Sequence, residues 1–122
     1  NMDSGLMVQG DGEVRRYLDR AEILRDTVEQ LRKDLALSPD EFASPEVGDA
    51  AFEQLRAGVL GHLEAWQVRL PAAFARAVNR VDLTERMVDE AMARGGLSEL
   101  AGVMVQRCLL KVLLRKRFAG KG

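Results

Sequence analysis

Residues 14–35 read VRRYLDRAEILRDTVEQLRKDL, and apolar side chains recur in this stretch at alternating steps of three and four. That spacing places them on one face of a helix, as in coiled coils and helical bundles. It predicts a helix that begins after the N-cap candidate Asp11 and ends near Ala36 or Leu37. Such a helix has about 25 residues and is roughly 37 Å long. Its apolar positions are Val14, Tyr17, Ala21, Leu24, Val28, Leu31 and Leu35.

This apolar face has two alternative uses. It can pack inside the protein's own bundle, because four-helix bundles use the same spacing. It can also bind another helical protein or a second copy of the chain, and a homodimer is the simplest closed assembly. The length of the helix favours association, as do Leu18 and Ile23, which widen the face. The candidate partner-binding residues are Tyr17, Leu24, Val28, Leu31 and Leu35.

The rest of the chain predicts further helices separated by clear breaks. The breaks are a capping-box pattern at 38–41, Gly48 with the N-cap candidate Asp49, Pro71, a second capping pattern with Asp82 as N-cap at 82–85, and Gly95-Gly96 followed by the cap candidate Ser98. We therefore expect an all-α, single-domain bundle of four to five helices with a long heptad-patterned first helix. The domain spans residues 1–122, and its ends at 1–11 and 119–122 are expected to be flexible.

The last predicted helix is apolar on nearly every side. A helix of this kind lies at the centre of a bundle or is covered by a second subunit. Its apolar residues are Val103, Met104, Val105, Leu109, Leu110, Val112, Leu113 and Leu114.

Composition indicates a globular protein in a reducing compartment. Of 122 residues, 47% are hydrophobic and 30% charged, which argues against a disordered chain. Met2, which we take as the natural start, is not followed by the basic region of a secretory signal, and no apolar run is long enough for a transmembrane helix. The single cysteine, Cys108, cannot form an intramolecular disulfide. We therefore expect a cytoplasmic protein.

Charge is distributed unevenly along the chain. Residues 1–99 contain 19 acidic and 12 basic residues, a balance of −7, whereas residues 100–122 contain six basic residues and no acid. The basic side chains could bind nucleic acid or an anionic membrane, or they could be neutralised by the acidic helices of the same bundle. We favour neutralisation. The anion-binding candidates are Arg107, Lys111, Arg115, Lys116 and Arg117.

Catalytic chemistry has little support in the sequence. His62 is the only histidine, so sites that need two histidines are excluded. Cys108 has basic neighbours that would lower its pKa in an exposed site, but the adjacent Leu109 and Leu110 favour a buried, inert thiol. No glycine-rich phosphate loop or calcium-binding loop is present. We predict no catalytic residue, no cofactor and no bound metal.

Taken together, these patterns predict a non-enzymatic module for protein–protein interaction or oligomerisation. The alternative is an accessory factor that binds nucleic acid or an anionic membrane through the basic C-terminal helix.

Overall fold

The computed structural model describes residues 14–119, and every regular element in this range is helical. A 3₁₀ helix at Arg16–Asp19 is followed by α1 (Ala21–Leu35), α2 (Ala51–Arg69), α3 (Pro71–Arg80) and α4 (Glu85–Ala119). The all-α prediction is confirmed. The predicted cap Asp11 and the predicted flexible segment 1–11 lie outside the described residues, as do residues 120–122. Ala119 is the last residue of α4.

The predicted long first helix is wrong at its N-terminal end. Arg20 adopts an extended conformation, with φ −94° and ψ 123°, so the chain turns between the 3₁₀ helix and α1. This turn lets Leu18 enter the core and places the Arg15 guanidinium 3.7 Å from the centre of the Phe52 ring. Burial and cation–π contact therefore outweigh the helical continuity that the spacing predicts. Helix α1 has 15 residues.

The segment after α1 is held by its own capping box. The Ser38 amide donates to Glu41 Oε1 at 2.9 Å, and the Glu41 amide donates to Ser38 Oγ at 3.3 Å, as the sequence predicts. The Ser38 amide also lowers the pKa of Glu41. Phe42 then fills the core, and its carbonyl accepts two hydrogen bonds from the Arg32 guanidinium. Gly58 permits this packing, because a Cβ there would lie 2.9 Å from the Phe42 ring.

Two predicted caps differ from the structure. The Asp49 prediction is wrong because α2 begins after Ala50, which makes no side-chain cap. Asp82 instead occupies the left-handed region with φ 68°, and the cap of α4 is Thr84, whose Oγ1 accepts a hydrogen bond from the Met87 amide at 3.1 Å. The turn at Asp82 buries Val81 and Leu83 on either side of it.

Gly96 divides α4 into two arms, residues 85–95 and 97–119. Its φ of 69° and ψ of −151° are not helical, so the break predicted at Gly95-Gly96 is confirmed. The predicted cap Ser98 has another role, because its hydroxyl accepts a hydrogen bond from Arg56 of α2. The C-terminal arm packs against α1 and α2 and contributes the largest share of the core. Its buried residues are Leu100, Ala101, Met104, Val105, Gln106, Cys108, Leu109 and Val112.

Candidate interaction surfaces

The apolar face of α1 lies inside the protein's own core. Leu24, Val28, Leu31 and Leu35 are each at most 4% exposed. Tyr17, the fifth candidate, lies on the separate 3₁₀ helix and is 41% exposed, with the Arg20 guanidinium 5.5 Å from its ring. The structure therefore does not bring the five candidates together on one surface. Packing within the chain already uses the apolar area of α1.

A buried carboxylate on α1 joins three parts of the fold. Asp34 Oδ2 accepts hydrogen bonds from Lys111 Nζ at 2.8 Å and from Cys108 Sγ at 3.5 Å, while Gln30 donates to Oδ1. Lys111 Nζ also donates to the carbonyl of Arg80, at the end of α3, at 2.9 Å. The sequence analysis did not identify Asp34. Its position three residues after Leu31, which places it on the same side of α1, is the one sign in the sequence that it lies beside the core.

The same cluster raises the pKa of the Cys108 thiol. Burial raises the pKa of the thiol, and the Asp34 carboxylate raises it further. The basic neighbours Lys111 and Arg107 lower the pKa by less than these two effects raise it. A thiol that stays protonated is a poor nucleophile. The arrangement therefore supports packing rather than covalent chemistry at this position.

Three basic residues in the C-terminal arm of α4 contact α1. Lys116 Nζ lies 2.9 Å from Glu22 Oε2 and 2.7 Å from Asp26 Oδ2, and Arg115 donates to Gln30 Oε1 at 2.9 Å. Hydrogen bonding to Lys116 lowers the pKa of Asp26, and the two carboxylates raise the pKa of Lys116. With Lys111 held by Asp34, three of the five anion-binding candidates contact α1. Arg107 is half-buried and Arg117 is exposed.

A second stripe, in which three of six positions are apolar, runs along the C-terminal arm of α4 on the side opposite Ala101 and Cys108. Its positions are separated by steps of 4, 3, 4, 3 and 4, the spacing of a helix that packs against another helix. Val103, Leu110 and Leu113 within it are half-buried, and the adjacent Leu114 is 47% exposed. We call this surface the outer stripe. It consists of Glu99, Val103, Gln106, Leu110, Leu113 and Arg117.

Two polar atoms beside the middle of the outer stripe lack partners. Gln106 is only 4% exposed, and neither its Oε1 nor the buried Nε of Arg107 makes a hydrogen bond with any residue that the structure describes. A buried polar atom without a partner costs roughly 1–3 kcal/mol. The sequence signals this stripe only indirectly, through the apolar residues on nearly every side of the last helix.

His62 holds the loop onto α2. Its Nε2 lies 2.8 Å from the Glu41 carbonyl oxygen, which can only accept, so this nitrogen donates. The ring also packs against Trp66, with 5.6 Å between ring centres. A surface depression of about 300 Å³ nearby is lined mostly by the loop residues 41–45. The contacts of His62 are those of a residue that fixes a loop onto α2.

Neither a metal centre nor a membrane span is found in the part of the chain that the structure describes. Residues 14–119 contain no group of three or more His, Cys, Asp or Glu side chains arranged to hold a metal ion. None of the helices in that range is both long enough and apolar enough to cross a bilayer. Comparisons with known proteins give no match to a protein-family model, a curated protein or a solved structure.

Proposed function

We propose that the protein is a non-enzymatic helical module that acts by associating with another protein, and that the outer stripe of α4 is its docking surface. The observation that carries the proposal is that α4 has two apolar faces, of which only one is fully buried in the core. The second retains three half-buried apolar residues and the 47%-exposed Leu114. Helices that are apolar all round occur where both faces are covered.

The proposal moves the association surface from α1 to α4. The apolar face of α1 is buried in the core of its own chain. A partner could bind this face only if the domain unfolded. The outer stripe can accept a partner without disturbing the contacts of α1 with α4. The proposed module is a small bundle, and its one cysteine, a buried free thiol, suits a reducing compartment such as the cytoplasm.

The contacts of the basic side chains favour this function over the anion-binding alternative. Counterion release by a nucleic acid ligand requires cations that are free to contact phosphate. Lys111, Arg115 and Lys116 already bond to groups on α1. An anion would have to compete with these internal partners, one of which, Asp34, is buried.

Solution mass tests the proposal. We would measure light scattering over a concentration series for the parent chain, for Leu114→Glu and for Val68→Glu. Val68 is 80% exposed on α2 and does not belong to the outer stripe, so it controls for replacing a surface aliphatic residue by an acid. A second copy is the simplest partner to test, and a dimer has twice the 13.5 kDa mass of one chain.

We expect the parent and Val68→Glu to dimerise with similar dissociation constants. Leu114→Glu should weaken the dimer about 30-fold or more, because burying an unpaired charge costs at least roughly 2 kcal/mol. Circular dichroism should show all three folded. A parent that remains monomeric at millimolar concentration would contradict self-association, and a dimer unaffected by Leu114→Glu would contradict the outer stripe as the docking surface.

A further inference from the structure

The corner between α2 and α3 exposes two aliphatic side chains. Pro71 has no amide hydrogen with which to continue α2, so α2 ends at Arg69, and Leu70 adopts a non-helical conformation with φ −141° and ψ 68°. Val68 is 80% exposed and Leu70 is 57% exposed, and neither packs against the core. Every residue from 67 to 72 is exposed. The corner therefore projects from the fold with aliphatic side chains at its tip.

The same part of the chain is basic. Residues 65–81, which we call the basic corner, contain Arg69, Arg76 and Arg80 and no acidic residue, so their charge is +3. The whole chain has a charge of −1, which leaves −4 for the other residues. None of the three arginine side chains makes a hydrogen bond or an ion pair with any residue that the structure describes. They differ in this respect from the three cations of α4 that contact α1.

The arginines of α3 lie close enough to the tip to act with it. Arg76 is about 9 Å along α3 from Leu70, which is comparable with the Debye length in physiological salt. Arg80 follows one turn later on the same side of α3, and two like charges at this spacing repel each other. The acid that follows the corner, Asp82, has its carboxylate 3.6 Å from Lys111 Nζ. An external anion near the corner would therefore relieve repulsion between arginines.

We infer that the basic corner docks on the surface of an anionic lipid bilayer. Val68 and Leu70 enter the boundary between headgroups and acyl chains, and the arginines contact the headgroup phosphates. Both the buried apolar area and the cations strengthen binding of this kind. The remaining residues, with their charge of −4, are repelled by the same surface, so the field of the whole chain orients the corner towards the bilayer. This inference goes beyond the proposed function and does not depend on the outer stripe.

The aliphatic tip favours a bilayer over other anionic ligands. The phosphates of a nucleic acid would attract the arginines, but they would leave Val68 and Leu70 against a charged backbone. An acidic protein would need a pocket shaped to receive the projecting tip. A bilayer receives such a tip without a preformed pocket, because its acyl chains rearrange around the inserted side chains.

The fluorescence of Trp66 tests the inference. Trp66 is the only tryptophan of the chain and lies in the last turn of α2, four residues before Leu70. We would titrate the protein with vesicles of phosphatidylserine and phosphatidylcholine in equal parts, and with vesicles of phosphatidylcholine alone. We expect a blue shift with the mixed vesicles and at least roughly tenfold weaker binding to the neutral ones. Brominated acyl chains in the mixed vesicles should quench the emission, because the tip reaches their depth.

One double variant removes the apolar part of the corner. Val68→Ser with Leu70→Ser should weaken binding to the mixed vesicles about tenfold or more, because the inserted aliphatic area is lost. Both side chains are exposed, so circular dichroism should show the fold of the parent. Binding that this variant retains would overturn insertion of the tip.

A second double variant removes charge from the corner. Arg69→Gln with Arg76→Gln should weaken binding about 20-fold, since each cation near an anionic surface contributes about fivefold. The matched control is Arg25→Gln with Arg94→Gln, which changes the net charge equally at two exposed arginines outside the corner. The control should bind within about threefold of the parent, because salt screens distant charges. Equal weakening in the two variants would overturn the assignment of the corner.

The remaining outcomes separate this inference from its rivals and from the proposed function. A parent chain that binds neither kind of vesicle, or binds both equally, would overturn docking on an anionic bilayer. Binding to a DNA duplex that is lost in the Arg69→Gln, Arg76→Gln variant, without binding to vesicles, would overturn it in favour of nucleic acid. None of these results changes the expected solution mass, which tests the outer stripe separately.

Discussion

The α1 face and the outer stripe of α4 have nearly the same spacing of apolar residues but different surroundings. Both follow steps of three and four along a helix. In α1 the residues Leu24 to Leu35 are buried by the protein's own core, whereas the outer stripe keeps Val103, Leu110 and Leu113 half-buried. Spacing alone therefore does not distinguish an internal face from a docking face.

The α1 face and the outer stripe differ in burial because α1 has one apolar face and the C-terminal arm of α4 has two. A helix with a single apolar face satisfies it against its own domain, and α1 does so. The C-terminal arm of α4 buries one face against α1 and α2, and its second face is only partly covered, with Val103, Leu110 and Leu113 half-buried. For a sequence of this kind, the helix with two apolar faces is the better candidate for association.

The largest expected effect comes from replacing one leucine by alanine in α1 and comparing it with the same replacement beside the outer stripe. Leu31 is fully buried, so Leu31→Ala should lower the free energy of unfolding by about 4 kcal/mol through lost burial and a cavity. Leu114→Ala should lower it by less than about 1 kcal/mol in the monomer. Urea denaturation at low protein concentration measures both. Equal losses would remove the distinction between a covered and an open stripe.

A second test compares two basic residues of α4. Lys111→Met leaves the Asp34 carboxylate buried without its cation and should cost about 3 kcal/mol of stability. Arg117→Met, in an exposed position, should change the stability of the monomer by no more than about 0.5 kcal/mol. Chemical denaturation of both variants checks this. A loss below 1 kcal/mol for Lys111→Met would show that the remaining donors to Asp34 suffice.

A third test uses the two glycines of α2. Gly58→Ala places a Cβ against the Phe42 ring and should cost about 1 kcal/mol net, because overpacking exceeds the gain in helix propensity. Gly61→Ala faces open space and should stabilise the protein by roughly 0.5–1 kcal/mol. Thermal unfolding gives the sign of each change. Stabilisation by both substitutions would mean that Phe42 does not pack tightly on α2.

The smallest expected effect concerns the surface pairs between α1 and α4. The pKa of Asp26 is held below 3.8, so its contribution is present above that pH and is lost as the pH falls. The pKa of Lys116 is held above 10.5, so its contribution is present below that pH and is lost as the pH rises. Lys116→Gln should flatten both limbs of a stability–pH profile. A profile identical to that of the parent would show that the pairs contribute nothing measurable.

Several features of the fold could be predicted from local patterns. The capping box at Ser38 and Glu41 and the stop at Gly96 follow from residues that act within a few positions of one another. The helical class follows from composition and spacing. These signals are local, so one sequence contains them in full.

The predictions that were wrong concern features that depend on contacts between residues far apart in the sequence. The break at Arg20 depends on Phe52 and on the core that receives Leu18, both distant in sequence. Thr84 caps α4 in place of Asp82, because Asp82 lies in the left-handed turn that precedes the helix. The accessibility of the partner-binding candidates on α1 and of the anion-binding candidates on α4 depends on which helix covers which face. Such long-range pairings leave no fixed spacing in the sequence.

The ion pair between Asp34 and Lys111 spans 77 positions of the chain, and this separation bears on synthesis. At translation rates of about 5–20 residues per second, α1 is made roughly 4–15 s before its cation and its covering helix. During that interval the leucines of α1 lack α4, whose C-terminal arm contributes the largest share of the core around them. The newly made N-terminal half is therefore a candidate for chaperone binding, and it becomes inert only when α4 has been synthesised.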